Sequence, residues 1–174
     1  MEQIKISSPI VKDGVQAIVL IEKVFNFFDQ KYILVQDYND RGRGDGIKMY
    51  GLPGGSIEEG EIPEQSIKRE LQEEIAFEKK QSTFEKFGCY PKLRPNGQTN
   101  YNHLFILRLD SCLKLKTNDP NEVSKVHLLT FRQIVNLAIK KEIHEGSIRL
   151  ILKFLKEERS GSLNEFIFFN GLLF

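Results

Sequence analysis

An α/β chain, with a mixed sheet and helices packed on it, is predicted by three observations. Apolar runs of strand length stand on both sides of one short helical stretch. That stretch opens at Pro63 and carries Ile67, Leu71 and Ile75 four residues apart. Two further amphipathic stretches follow the last strand. The order of strands, helix, strands and helices contains no repeat and no shift of composition. One domain is therefore expected across residues 1–174, with an apolar tail at 163–174.

Each element has a local reason. Residues 16–21 (Gln-Ala-Ile-Val-Leu-Ile) and 32–35 (Tyr-Ile-Leu-Val) read as strands, with a turn at 26–30 between them. Residues 39–46 (Asn-Asp-Arg-Gly-Arg-Gly-Asp-Gly) are a loop by composition. The short apolar segment 49–52 leads into Pro53-Gly54-Gly55. Pro63 suits the first turn of a helix, where its missing N–H costs nothing. The stripe Ile67, Leu71, Ile75 then anchors that helix to a core. Residues 83–93 and 103–109 read as strands joined by the turn 94–97, and 126–129 as a further strand. Helices are expected over 131–140, with Ile134, Val135 and Ala138 on one side, and over 147–158, with Ile148, Ile151, Leu152 and Leu155.

Composition narrows the function classes. The 174 residues are enough for one buried core, and 40% apolar with 28% charged residues describes a soluble globular chain. A net charge of +1 argues against a general nucleic-acid binder. Cys89 and Cys112 cannot build a disulfide framework and are expected as reduced, half-buried strand residues. The start of the chain lacks the apolar core of a signal peptide, and no apolar stretch approaches the roughly 18–20 residues of a membrane span. A cytoplasmic protein with no membrane contact is the expectation. The tail Phe166-Ile-Phe-Phe-Asn-Gly-Leu-Leu-Phe174 is too apolar to stay in water. It is expected to pack on its own core or to make a homodimer contact.

The most informative stretch is Gly51-Leu-Pro-Gly-Gly-Ser-Ile-Glu-Glu-Gly-Glu61 with Arg69-Glu70-Leu71-Gln72-Glu73-Glu74 after it. A glycine-rich turn stands in front of a helix that ends in clustered carboxylates. At about 100° per residue, Glu70, Glu73 and Glu74 fall within roughly a third of the helix circumference. Like charges at these spacings repel, so a compensating cation is expected. A hard divalent ion held by oxygen ligands is the natural one.

The same residues resemble the Nudix box, read as Gly, five residues, Glu, seven residues, then Arg-Glu-apolar-x-Glu-Glu-x-Gly-apolar. Gly55, Glu61, Arg69, Glu70, Leu71, Glu73, Glu74 and Phe77 occupy its positions. A match of this kind arises by chance on the order of once in a million such chains. Ala76 departs from the pattern, standing where the family has glycine near the helix end. Alanine there is expected to lengthen the helix by a turn or to bear a small strain, and it removes no ligand.

The resemblance implies an α/β/α sandwich and hydrolysis of a nucleoside diphosphate linked to another moiety X. It also implies a divalent cation, Mg²⁺ or Mn²⁺, and a small nucleotide as the partner, without a stable nucleic-acid complex. Glu70, Glu73 and Glu74 would be metal ligands, together with a backbone carbonyl of the glycine turn, here Gly54. Arg69 would pair with Glu61 and fix the loop to the helix. In many members the general base is a glutamate in a loop before a late strand, and in others it is a box glutamate. The candidate here is Glu122, with Asp119 in reserve. Arg41 and Arg43 are candidate phosphate contacts, the alternative being solvated loop arginines. Tyr38, Tyr50, Phe87, Tyr90 and Tyr101 are candidates for stacking on a base or for the core. His103 is expected as a strand residue rather than a catalyst, and His127 and His144 have no partner at a telling spacing. Two rival functions share these residues: a nucleoside triphosphate pyrophosphatase that removes damaged nucleotides, and a nucleotide-sensing module that does not cleave.

Overall fold

Val15, Ala17, Val19 and Ile21 of strand β1 (Gly14–Ile21) belong to one buried cluster, and Ile18 and Leu20 to another. A strand apolar on both faces must lie at the centre of a sheet that is covered on both sides. The protein is described by a computed structural model over residues 12–21, 31–37, 49–76, 82–93, 97–109 and 123–158. In it β1 pairs in parallel with β5 (Thr99–Leu109), from Gly14 opposite Asn102 to Ile21 opposite Leu109. The other strands are β2 (Lys31–Asp37), β3 (Tyr50–Gly51), β4 (Ser82–Leu93) and β6 (Val123–Thr130), and all their pairings are antiparallel. The order is β3-β2-β1-β5-β4, with β6 on β2 as well.

Helix α1 (Pro63–Ile75) covers one face. Ile67, Leu71 and Ile75 pack with Val15, Ala17, Val19, Phe105 and Leu107. Helices α2 (Phe131–Ile139) and α3 (Glu145–Glu158) cover the other, where Ile134, Ile151, Phe154 and Leu155 meet Ile18, Leu20, Leu104 and Ile106. These three layers are an α/β/α sandwich. Burial explains why α1 tolerates its carboxylates. Each of its three apolar side chains contributes about 1.5–3 kcal/mol when fully buried, against a few tenths for each like-charge pair on a helix. Helix α2 is held at its start by a reciprocal cap: Gln133 N–H donates to Thr130 Oγ1 at 3.3 Å and Thr130 N–H to Gln133 Oε1 at 2.7 Å.

One irregularity of the sheet positions the site. β1 and β3 share the same edge of β2: Lys31–Ile33 pair with β1, whereas Val35 and Gln36 pair with β3. The first half of β1 therefore runs past the end of its β2 pairing, and the glycine turn takes that place. Ala17 N–H donates to Pro53 O and Val15 N–H to Gly55 O, both at 2.9 Å, and Gly14 bridges Ser56. The turn is thus a short strand substitute, locked to the central strand β1, which is buried on both faces.

Three details differ from expectation. The α3 face is centred on Ser147, Leu150, Ile151, Phe154 and Leu155, all buried, while Ile148 and Leu152 stand at its margin. Buried Ser147 accepts a hydrogen bond from Leu52 N–H at 3.0 Å, which a pattern of apolar residues alone does not register. Cys89 is exposed, not half-buried. Lys86 meets Glu64 in the first turn of α1 and Lys68 lies over Phe84, so the helix covers β4 on the Phe84 side and leaves Cys89 beyond its start. Cys112, the turn 26–30, the loop 39–46, residues 94–96 and the tail 163–174 lie outside the described residues.

Ala76 ends α1 at φ 52°, ψ 41°, the left-handed conformation, with its N–H on Leu71 O. The helix is not lengthened, so alanine bears the strain that glycine avoids. Ala76→Gly is expected to raise stability by about 1 kcal/mol, read as a higher denaturant midpoint with an unchanged slope.

Candidate active site

The box brings three carboxylates around one guanidinium. Arg69 Nε and Nη2 donate to Glu61 Oε1 and Oε2, both at 3.0 Å, a bidentate pair across the loop. Arg69 Nη1 donates to Glu70 Oε1 at 2.9 Å and to Glu73 Oε2 at 3.2 Å. Nη2 also reaches Ser56 O and Ser66 Oγ, both at 3.2 Å. The loop-to-helix ion pair that the box implies is therefore present, and the same arginine balances Glu70 and Glu73. Ser56 and Ser66 were not singled out from the sequence. Ser66 lies three residues before Arg69, a spacing that places both on one helix face and was the available signal.

The three helix carboxylates have unlike surroundings. Glu70 and Glu74 are buried, at 5% and 2% exposure, whereas the Glu73 side chain is 44% exposed. A buried carboxylate is costly unless paired. Glu70 has Arg69, and Glu74 Oε2 accepts from Gly54 N–H at 2.6 Å. That bond draws Gly54 to the helix. The carbonyls on either side, of Pro53 and Gly55, are taken by β1, and among the described residues no backbone hydrogen bond falls on the Gly54 carbonyl. Gly54 has φ 141°, and a Cβ there would stand 2.1 Å from Val15 O. At Gly55 a Cβ would stand 2.4 Å from Glu70 Oε1. The turn is glycine because the strand and the carboxylate occupy the space of its side chains.

Among the described residues, no three histidine, cysteine, aspartate or glutamate side chains are gathered as a metal cluster. The cation that Glu70 and Glu73 share here is the Arg69 guanidinium. The donor chemistry still fits a hard divalent ion: carboxylate oxygens and a backbone carbonyl, with room for the Glu70 carboxylate made by a missing Cβ. Glu122, Asp119, Arg41, Arg43, Tyr38 and Phe77 lie outside the described residues. Tyr50, Phe87 and Tyr90 are half-buried against the α2–α3 cluster, and Tyr101 is exposed. The Tyr50 ring meets His127 edge-on at 4.9 Å. Burial holds the His127 imidazole below its usual range, with Lys125 acting in the same direction.

Arg69 holds the Glu61 carboxyl down to about 2 from an ordinary 4.5, mainly through their hydrogen bonds. A carboxyl depressed in the folded state brings stability that is complete above about pH 4.5 and is lost as the pH falls from there toward 2. Glu61→Gln is therefore expected to flatten the acid-unfolding profile in that window and to leave its slope near neutrality unchanged. An unaltered profile below pH 4.5 would show that the pair brings no stability.

The sandwich thus sets a glycine turn and a carboxylate-bearing helix against its central strands. The NUDIX domain family model matches residues 16–151, and the chain belongs to that family. It is a hydrolase of the Nudix type. No curated protein sequence matches it. Solved structures share the fold at low identity. The NUDIX domain of Shewanella oneidensis NrtR, complexed with ADP ribose, has a TM-score of 0.64 at 20% identity, covering 83% of this chain and 86% of its own. The M. smegmatis Nudix hydrolase RenU has a TM-score of 0.64 at 15% identity, covering 87% and 88%. A C. elegans Ap4A hydrolase in a binary complex has a TM-score of 0.60 at 14% identity, covering 84% and 99%. No helix among the described residues is long and apolar enough to cross a membrane.

Proposed function

We propose that the chain is a metal-dependent pyrophosphohydrolase that cleaves a nucleoside diphosphate linked to another moiety X. The observation that carries this reading is the Arg69 hub. One guanidinium joins Glu61, Glu70 and Glu73, while Glu74 is tied to the glycine turn through Gly54 N–H. A structural helix gains little from burying two glutamates, so a task for them is the economical explanation. Glu70, Glu73, Glu74 and the Gly54 carbonyl would hold Mg²⁺ or Mn²⁺. When bound, the ion neutralises phosphate charge and makes water acidic enough to serve as a nucleophile.

The chain's own residues do the rest. Arg69 and Glu61 are positioning residues that hold the turn against α1. Glu122, with Asp119 in reserve, is the candidate acceptor of the water proton, unless a box glutamate takes it. Arg41 and Arg43 are candidates to meet the phosphates. Two similar structures support the substrate class: one holds ADP ribose, and one is a hydrolase of Ap4A, so both concern adenosine joined through phosphoanhydride bonds.

The test is hydrolysis of a panel with and without Mg²⁺, products being identified by mass. The panel holds ADP-ribose, nucleotide sugars, dinucleoside polyphosphates, NADH, and ordinary and oxidised nucleoside triphosphates. Two monophosphates from a diphosphate-linked substrate are the expected result. Free pyrophosphate from a triphosphate would replace this reading with that of a triphosphate pyrophosphatase. Binding without cleavage would overturn both in favour of a sensing module.

A further inference from the structure

A thiol and an imidazole face each other across β4 and β5. Cys89 and His103 are register partners, and Cys89 Sγ lies 4.0 Å from His103 Nε2. The sulfur is exposed, on the outermost strand of the described sheet. The other ring nitrogen, His103 Nδ1, is buried with no hydrogen-bond partner among the described residues.

That orphaned atom decides the tautomer. Burial holds His103 below 6.5, with Lys86 of β4 acting in the same direction and Asp13, before β1, and Glu64 of α1 opposing it. The ring is therefore neutral at pH 7 and carries one N–H. On Nδ1 that donor would be buried without an acceptor, which is rarer and costlier than a bare ring acceptor. The N–H consequently sits on Nε2 and faces the sulfur. A thiolate formed at Cys89 meets a hydrogen-bond donor in place.

We propose that Cys89 is a modification site, a nucleophilic thiol that hydroperoxides oxidise while His103 holds the reacting sulfur through its Nε2–H. The thiol proton passes to water. The sulfur then attacks the terminal peroxide oxygen, an S–O bond forms and the O–O bond breaks. The leaving alkoxide or hydroxide takes a proton to give alcohol or water. Sulfur loses two electrons to the peroxide, and the product is Cys89 sulfenic acid. This site is independent of the hydrolase reading.

The test uses full-length protein carrying Cys112→Ser, which leaves Cys89 as its one thiol. Hydrogen peroxide is added with dimedone, and the Cys89 adduct is followed by mass. His103→Leu is expected to slow the adduct about tenfold, the worth of one hydrogen bond to a charged group, and His103→Gln, which keeps an N–H, to restore part of the rate. Equal rates in the parent and His103→Leu would overturn the proposal. A second comparison does not depend on either variant folding. A peptide of residues 85–93 carries the same thiol without His103 and is expected to react about tenfold more slowly than the protein. A peptide that reacts as fast would overturn it equally.

Discussion

Glu73→Gln is expected to lower kcat by about two to three orders of magnitude while the melting temperature stays within a degree or two. The two halves of this expectation have separate causes. Of the three helix carboxylates, Glu73 is the exposed one, and its link to Arg69 is an (i, i+4) contact of 3.2 Å. Such surface pairs contribute about 0–1 kcal/mol, so removing the charge leaves the fold nearly untouched. A ligand to a catalytic cation contributes several kcal/mol to the transition state, which is the size of the expected rate loss. Glu70→Gln is a poorer probe. It removes the charge of a buried group at 2.9 Å from Arg69, so stability and activity would fall together. The measurement is kcat beside a denaturation curve for each variant. An unchanged kcat in Glu73→Gln would remove that residue from the set of metal ligands, whatever substrate is turned over.

What the sequence disclosed, and what it did not, divides along the range of the interactions. Ile67, Leu71 and Ile75 report α1 because a spacing of four residues, about one helical turn, is a local property. The apolar run at 16–21 reports a strand for the same reason. The box positions were legible as a pattern. Their connection through Arg69 was legible only as its pairing with Glu61, because a resemblance names partners and not the number of acceptors one guanidinium serves. The split edge of β2 was beyond reach. Nothing in residues 31–37 shows that β1 and β3 divide them, since that depends on where a remote glycine turn is accommodated. Ser147 misled the α3 reading because it is polar by type but buried and bonded to Leu52, 95 residues away. Cys89 was misjudged because exposure on a strand depends on where the covering helix begins.

The two glycines of the turn are expected to fail in opposite ways when each is replaced by alanine. At Gly54 the new Cβ would lie 2.1 Å from Val15 O and 2.7 Å from Gln16 Cα, both backbone atoms of the central strand, and φ is 141°. Neither obstacle can rotate away. Backbone strain of about 1–3 kcal/mol and overpacking of about 1–3 kcal/mol add to a loss of roughly 2–6 kcal/mol, a large part of a domain's stability. At Gly55 the Cβ would meet Glu70 Oε1 at 2.4 Å and Oε2 at 2.8 Å, the movable end of a side chain. The backbone can stay, and the carboxylate must turn away from its place beside Arg69. Gly54→Ala is therefore expected to be unfolded or strongly destabilised. Gly55→Ala should stay folded, with kcat reduced at least tenfold because a displaced carboxylate no longer serves the site. The measurement is a pair of urea midpoints with the corresponding kcat values. If Gly55→Ala retained full activity, the Glu70 carboxylate would have no part in the chemistry, and the site would reduce to Glu73 and Glu74 beside Gly54.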